Sequence, residues 1–160
     1  MEHKNFSHID NDGSANMVDI SSKKISKREA IASSEVILNN ETYLMIKDNQ
    51  MTKGNVINIA QLAGITASKK THDLIPLCHQ IPINKVDLSF EFDDANNKIS
   101  IISYVSSDWK TGVEMEALVA VSVASLTIYD MCKSLDKSII INKIQLEKKT
   151  GGKSGTYIRD

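Results

Sequence analysis

A chain of 160 residues with 41% apolar and 24% charged side chains is long enough to bury a real core and too balanced for wholesale disorder or a fibrous structure. Nineteen basic against twenty acidic side chains leave a formal charge of −1, which excludes a broad nucleic-acid or anionic-membrane footprint and leaves any anion to a local cluster. The polar opening Met1–Asp10, the lack of any run approaching membrane-spanning length and two widely separated cysteines, Cys78 and Cys132, make the cytoplasm the expected compartment and reduced thiols the expected state.

Residues 1–18 hold the turn-rich Asp10-Asn11-Asp12-Gly13-Ser14 with little to bury, and are expected to be flexible. From Ile25 to Leu38, β-branched and small residues favour a strand, and Asn39-Asn40-Glu41 offers a cap for a short helix over Thr42–Lys47. After a loop over 48–55, Val56, Ile59, Ala60, Ala63 and Ala67 recur at helical spacing, giving a second helix that ends before Pro76. Val86, Leu88, Phe90 and Phe92, then Ile99, Ile101, Ser103 and Val105, alternate with polar residues around Asp93–Lys98; this predicts a β-hairpin with one wet face. Glu114–Lys133 is apolar on nearly every side, which predicts a helix covered by the sheet and by another chain. Ile139–Leu146 supplies a last strand and Glu147–Asp160 reads as a Gly- and Lys-rich tail. This order predicts one α+β domain over 19–148, a ferredoxin-like antiparallel sheet with helices packed on one face, followed by a tail over 149–160.

Four clusters carry possible chemistry, each with an ordinary reading beside it. Cys78-His79 offers a nucleophile and a base, although neighbours in sequence point different ways. A zinc site from Cys78, His79, His72 and Cys132 lacks ligand spacing, and no metal or cofactor is predicted. Glu114 and Glu116 are either ligands or helix-start carboxylates favoured by the macrodipole; on a helix they lie about 200° apart. Asp130 and Lys133, neighbours on one helix face, are either an exposed ion pair or proton-transfer groups in a partly closed site. Glu116 and Lys133 stand about 25 Å apart along the helix. One small substrate can therefore meet both ends only if this helix pairs antiparallel across a two-fold axis and the site is shared between subunits.

Lys149-Thr150-Gly151-Gly152-Lys153-Ser154-Gly155 resembles a phosphate-cradling loop or a flexible basic tail. It fails the P-loop pattern, since Glu147 stands where a glycine is required. Lys53-Gly54 and Lys69-Lys70-Thr71 could add phosphate contacts.

These clusters, with Met17-Val18-Asp19, Lys53-Gly54-Asn55-Val56, Ala63-Gly64-Ile65, Leu77-Cys78-His79, Thr111-Gly112-Val113-Glu114-Met115-Glu116-Ala117-Leu118, Thr127-Ile128-Tyr129-Asp130-Met131-Cys132-Lys133 and Gly151-Gly152-Lys153-Ser154-Gly155, resemble the cyclic pyranopterin monophosphate synthase family, the molybdenum cofactor biosynthesis protein C family, over nearly the whole chain. The resemblance implies a lyase that converts a 3′,8-cyclised dihydroguanosine triphosphate into cyclic pyranopterin monophosphate with loss of pyrophosphate. It implies a hexamer built as three dimers with sites at the dimer interface. Carried over by position, Lys53 and Lys133 would be the catalytic lysines and Asp130 their carboxylate partner. Leu77, Cys78, His79, Glu114, Met115 and Glu116 would hold the base and sugar part, and Arg28, Lys149 and Lys153 the phosphates. Gln80 stands where the family usually has proline, Gln61 where it has arginine, and Trp109-Lys110 where smaller residues are usual. Two other classes compete: a non-catalytic oligomeric binding protein of the same fold, and a GTP-dependent phosphoryl-transfer enzyme that the failed P-loop spacing disfavours.

Overall fold

In a computed structural model, residues 12–153 and 155–160 are described; the expectation of a flexible segment therefore lies, over residues 1–11, outside the described residues. The elements are β1 Ser26–Ile37, α1 Asn40–Lys47, α2 Val56–Ser68, α3 Thr71–Leu74, β2 Lys85–Asp93, β3 Lys98–Trp109, α4 Glu114–Cys132, β4 Ile140–Thr150 and β5 Tyr157–Ile158. The strands form one antiparallel sheet in the order β2-β3-β1-β4-β5. Its first four strands have the ferredoxin-like arrangement, in which β1 is central because α2 and α4 each carry the chain back across one face.

Alternation decides which face is covered. Along β1, Arg28, Ala30, Ala32, Ser34 and Val36 are buried; on β3, Ile99, Ile101, Ser103 and Val105 join them. Helix α4 lies on this face with Ala117, Ala120, Val121, Ala124 and Ile128 inward, and the hydroxyls buried between them are satisfied: Ser103 donates to the Ala117 carbonyl and Ser34 bonds Ser125. Gly64 lets α2 approach α4, since a Cβ there would lie 2.8 Å from the Ala120 carbonyl. Contrary to the expectation that no run approaches a membrane span, α4 is long and apolar enough by length and composition; it is instead the core helix of this layer.

Helix α1 starts two residues earlier than expected, at Asn40, and two differences from the sequence reading are larger. The helical run before Pro76 breaks at Lys69-Lys70, where the Thr71 hydroxyl takes the Ser68 carbonyl, leaving α3 as a separate turn. Strand β4 continues through Glu147–Thr150, and β5 adds to its edge, so part of the expected tail is sheet. The cause is irregular pairing in β4: the register shifts twice, and Lys143 has a φ of 49°. Each shift resets the two-residue alternation from which the strand was read.

Candidate functional site

The connection from α3 to β2 runs over the start of α4, where it encloses a cavity of about 610 Å³. Its lining includes Ile75, Leu77, Cys78, His79, Met115 and Glu116, with Ala15 from the N-terminal side. A second cavity of about 310 Å³ adjoins it and shares Thr111, Gly112 and Glu114. This one is cationic: Lys23, Arg28, Lys110, Lys149 and Lys153 line it.

Arg28 is buried at the start of β1, where its Nε donates to the Trp109 carbonyl and its Nη2 to the Lys110 carbonyl, both at 3.3 Å. These bonds fix the guanidinium at the end of the β1–β3 ladder. Gly152, with a φ of +83°, lets the loop after β4 close over it; a Cβ there would fall 2.0 Å from Arg28 Nη1. Lys149 Nζ lies 3.9 Å from Glu114 Oε1, so the glutamate sits on the border between the cavities with a cation beside it. Gly112 serves Glu114 as Gly152 serves Arg28, its missing side chain leaving the space that the carboxylate occupies.

Glu116 differs from Glu114 although both stand in the first turn of α4. It is 3% exposed, and burial, against a smaller opposing backbone hydrogen bond and with a lesser push from Glu114, raises its carboxyl to about 7. Burial and then Glu116 also raise the Cys78 thiol, which favours the protonated form over the nucleophilic thiolate of the Cys-His reading. Cys132 lies in the core, its thiol pushed up by burial to about 11. Among the described residues, no three His, Cys, Asp or Glu side chains come together as a metal site.

The third group stands at the other end of α4. Lys133 Nζ lies 2.6 Å from Asp130 Oδ1, and Lys53 reaches the Asp130 carbonyl at 3.4 Å. The ion pair with Lys133 holds the Asp130 carboxyl below the usual range and raises the lysine. The pair is open to solvent, with side-chain exposures of 54% for Lys133 and 69% for Asp130. Nearby, the buried Asp136 fixes the turn after α4 by accepting from the Asn39 and Ser138 amides.

The fold thus brings Arg28, Lys149 and Lys153 together, and separately Leu77, Cys78, His79, Glu114, Met115 and Glu116, in adjoining cavities. It keeps Lys53, Asp130 and Lys133 a helix length away. Lys69 lines a different depression, between α2 and β2, and Thr71 is buried against Ser68. Lys23 and Lys110 were missed by the sequence reading. Lys23 has no recognisable spacing from Arg28, whereas the position of Lys110 directly before Thr111-Gly112 was an available signal.

The sequence signature of the MoaC family matches residues 17–152. A cyclic pyranopterin monophosphate synthase from Heliobacterium modesticaldum is 51% identical over 155 residues, which cover 97% of this chain and 98% of that protein. Proteins of the same name are similar to the same degree: one from Staphylococcus epidermidis is 51% identical over 158 residues, covering 97% of this chain and 98% of its own. One from Listeria monocytogenes is 51% identical over 157 residues, 98% of each chain.

Proposed function

The chain belongs to the MoaC family, and on that premise we propose that it converts a 3′,8-cyclised dihydroguanosine triphosphate into cyclic pyranopterin monophosphate with release of pyrophosphate, in molybdenum cofactor biosynthesis. The observation that carries this reading is the pair of adjoining cavities: one largely apolar with two carboxyl groups, the other lined by five cations. A nucleotide-derived substrate has the same two halves. Its heterocycle and sugar meet Leu77, Cys78, His79, Glu114, Met115 and Glu116, while its phosphates meet Arg28, Lys149 and Lys153, joined by Lys23 and Lys110. Cations aimed at the departing pyrophosphate stabilise the charge that develops on it.

Lys53, Asp130 and Lys133 are the acid/base group. Alone, the exposed Lys133 is held protonated by Asp130, suited to donating a proton or meeting negative charge. To accept a proton near neutrality it needs the desolvation that a covering subunit supplies. That cover is argued by the outer surface of the helical layer, where Leu62 is 66% and Leu126 57% exposed. Antiparallel packing of α4 on its copy brings one subunit's Lys133 to the other's Glu116, and three such dimers make the hexamer.

Incubation with the cyclised nucleotide, read by mass spectrometry for the product and by pyrophosphate release, tests the reaction; a folded protein that gives neither overturns it. Mixing Lys133→Ala subunits with Glu114→Ala subunits tests the shared site. Random pairing restores about a quarter of the sites, whereas sites contained within one chain recover nothing.

A further inference from the structure

We propose that Glu147 and Arg159 are positioning residues: together they fasten a bulge in β4, and that bulge keeps Lys149 rather than Lys148 on the helix-covered face of the sheet, in the cationic cavity. What Lys149 meets there rests on the phosphate reading above. The register shows how the bulge acts. Ala32 pairs with Leu146 and Ala30 with Lys149, so two steps along β1 are matched by three along β4, and Glu147 is the extra residue. Ala30 and Ala32 lie on the covered face. Their partners follow: Leu146 packs against the core and Lys149 lines the cavity, 3.9 Å from Glu114 Oε1. Lys148 opposes Ile31 and is exposed on the other face, beside Glu29 and Tyr104. Regular pairing onward from Ala32 and Leu146 would set Lys148 opposite Ala30 and turn Lys149 to that other face.

The bulge is held from the end of the chain. Strand β5 pairs Ile158 with Lys148 and Tyr157 with Lys149, and the next residue spans the bulge. The Arg159 amide donates to the Glu147 carbonyl at 2.8 Å and its Nε to the Leu146 carbonyl at 2.9 Å. A bulge disrupts the ladder locally; these two carbonyls are met by Arg159. On the face away from the helices, the Glu147 carboxylate accepts from the Ser33 hydroxyl and from Gln145 Nε2, and Arg159 Nε stands 3.8 Å from its Oε2. An exposed ion pair adds little by itself, but Arg159 ties two consecutive carbonyls to the bulged side chain. The same contacts close the base of the hairpin whose tip carries Gly152 against Arg28 and Lys153 into the cavity.

Amine acylation of the ligand-free full chain, read lysine by lysine in a mass spectrometer, tests the clamp without any phosphate. Arg159→Ala should change the ratio of the Lys148 and Lys149 rates by at least about threefold, because lost register moves each side chain toward the other's face. Glu147→Ala should do the same. An unchanged ratio in both variants overturns the proposal.

Calorimetric binding of inorganic pyrophosphate tests what the clamp acts through. Lys149→Ala should weaken it about tenfold and Arg159→Ala at least about threefold, while Lys148→Ala stays within about twofold of the parent. The double variant Lys149→Ala/Arg159→Ala should bind no more weakly than Lys149→Ala, since one residue acts through the other. Where Lys149→Ala weakens binding, additive losses in the double variant, or an Arg159→Ala chain that binds as the parent does, overturn the positioning role. A changed labelling ratio together with pyrophosphate binding that Lys149→Ala leaves untouched upholds the clamp and refutes the phosphate reading of the cavity.

Discussion

The two ends of α4 handle charge in opposite ways. At its start, Glu116 is shut away from water and Arg28 is clasped by two carbonyls and a glycine loop. At its finish, Lys133 and Asp130 pair in the open with Lys53 alongside. Cavity walls and hydrogen bonds within the chain organise the first end as it stands. The second has its charges and no wall. An exposed ion pair adds little to stability, so the residues at the open end are replaceable for folding, whereas those at the closed end are tied to it.

The largest effect expected from this contrast is at the open end. Lys53→Ala and Lys133→Ala should each lower turnover by roughly 10²–10⁴-fold while the melting temperature stays that of the parent. A parallel fall in thermal stability would show that the open end is structural after all.

At the closed end, the unfolded Glu116 titrates near its ordinary 4.5 and the folded one near 7. The folded state therefore holds its proton longer. The stability this confers is complete below about pH 4.5 and is lost as pH rises through about 7. Glu116→Gln has no such dependence, so above that range it should be more stable relative to the parent than in acid, by roughly 3 kcal/mol. Denaturant titrations across the pH series check this, and parallel stability profiles would refute it.

Arg28→Ala removes a buried cation and strands two carbonyls. It should weaken binding of the triphosphate by about 2 kcal/mol, seen as a raised KM, and lower the unfolding midpoint as well. Gly152→Ala should be milder, costing about 1 kcal/mol from its left-handed backbone and raising KM by displacing the Arg28 guanidinium. An unchanged KM would separate the glycine loop from the cationic cavity.

Much of this architecture was legible because local patterns and local causes coincide. The alternation in Val86–Phe92 and Ile99–Val105 is a hairpin, Asn39 caps the helix after β1 with its side chain, and the all-round apolar Glu114–Cys132 is the core helix. The β4 extension was hidden because irregular pairing erases the alternation, and the α2–α3 break because a threonine hydroxyl competes for a carbonyl inside an otherwise helical run.

The sequence by itself determined which residue types are available: two carboxyl groups in one helical turn, a lysine and an aspartate in the last, and glycines beside basic residues near the end. It also set the distance between the helix ends, since helical rise is fixed per residue. Only the tertiary structure decided how each group is charged and grouped. Glu114 and Glu116, two residues apart, receive a lysine in one case and an apolar cavity in the other. Arg28, Lys110 and Lys149 meet because β1, β3 and β4 are neighbours in the sheet. Burial and pairing depend on what distant segments place around a side chain, and one stretch of sequence carries no record of that.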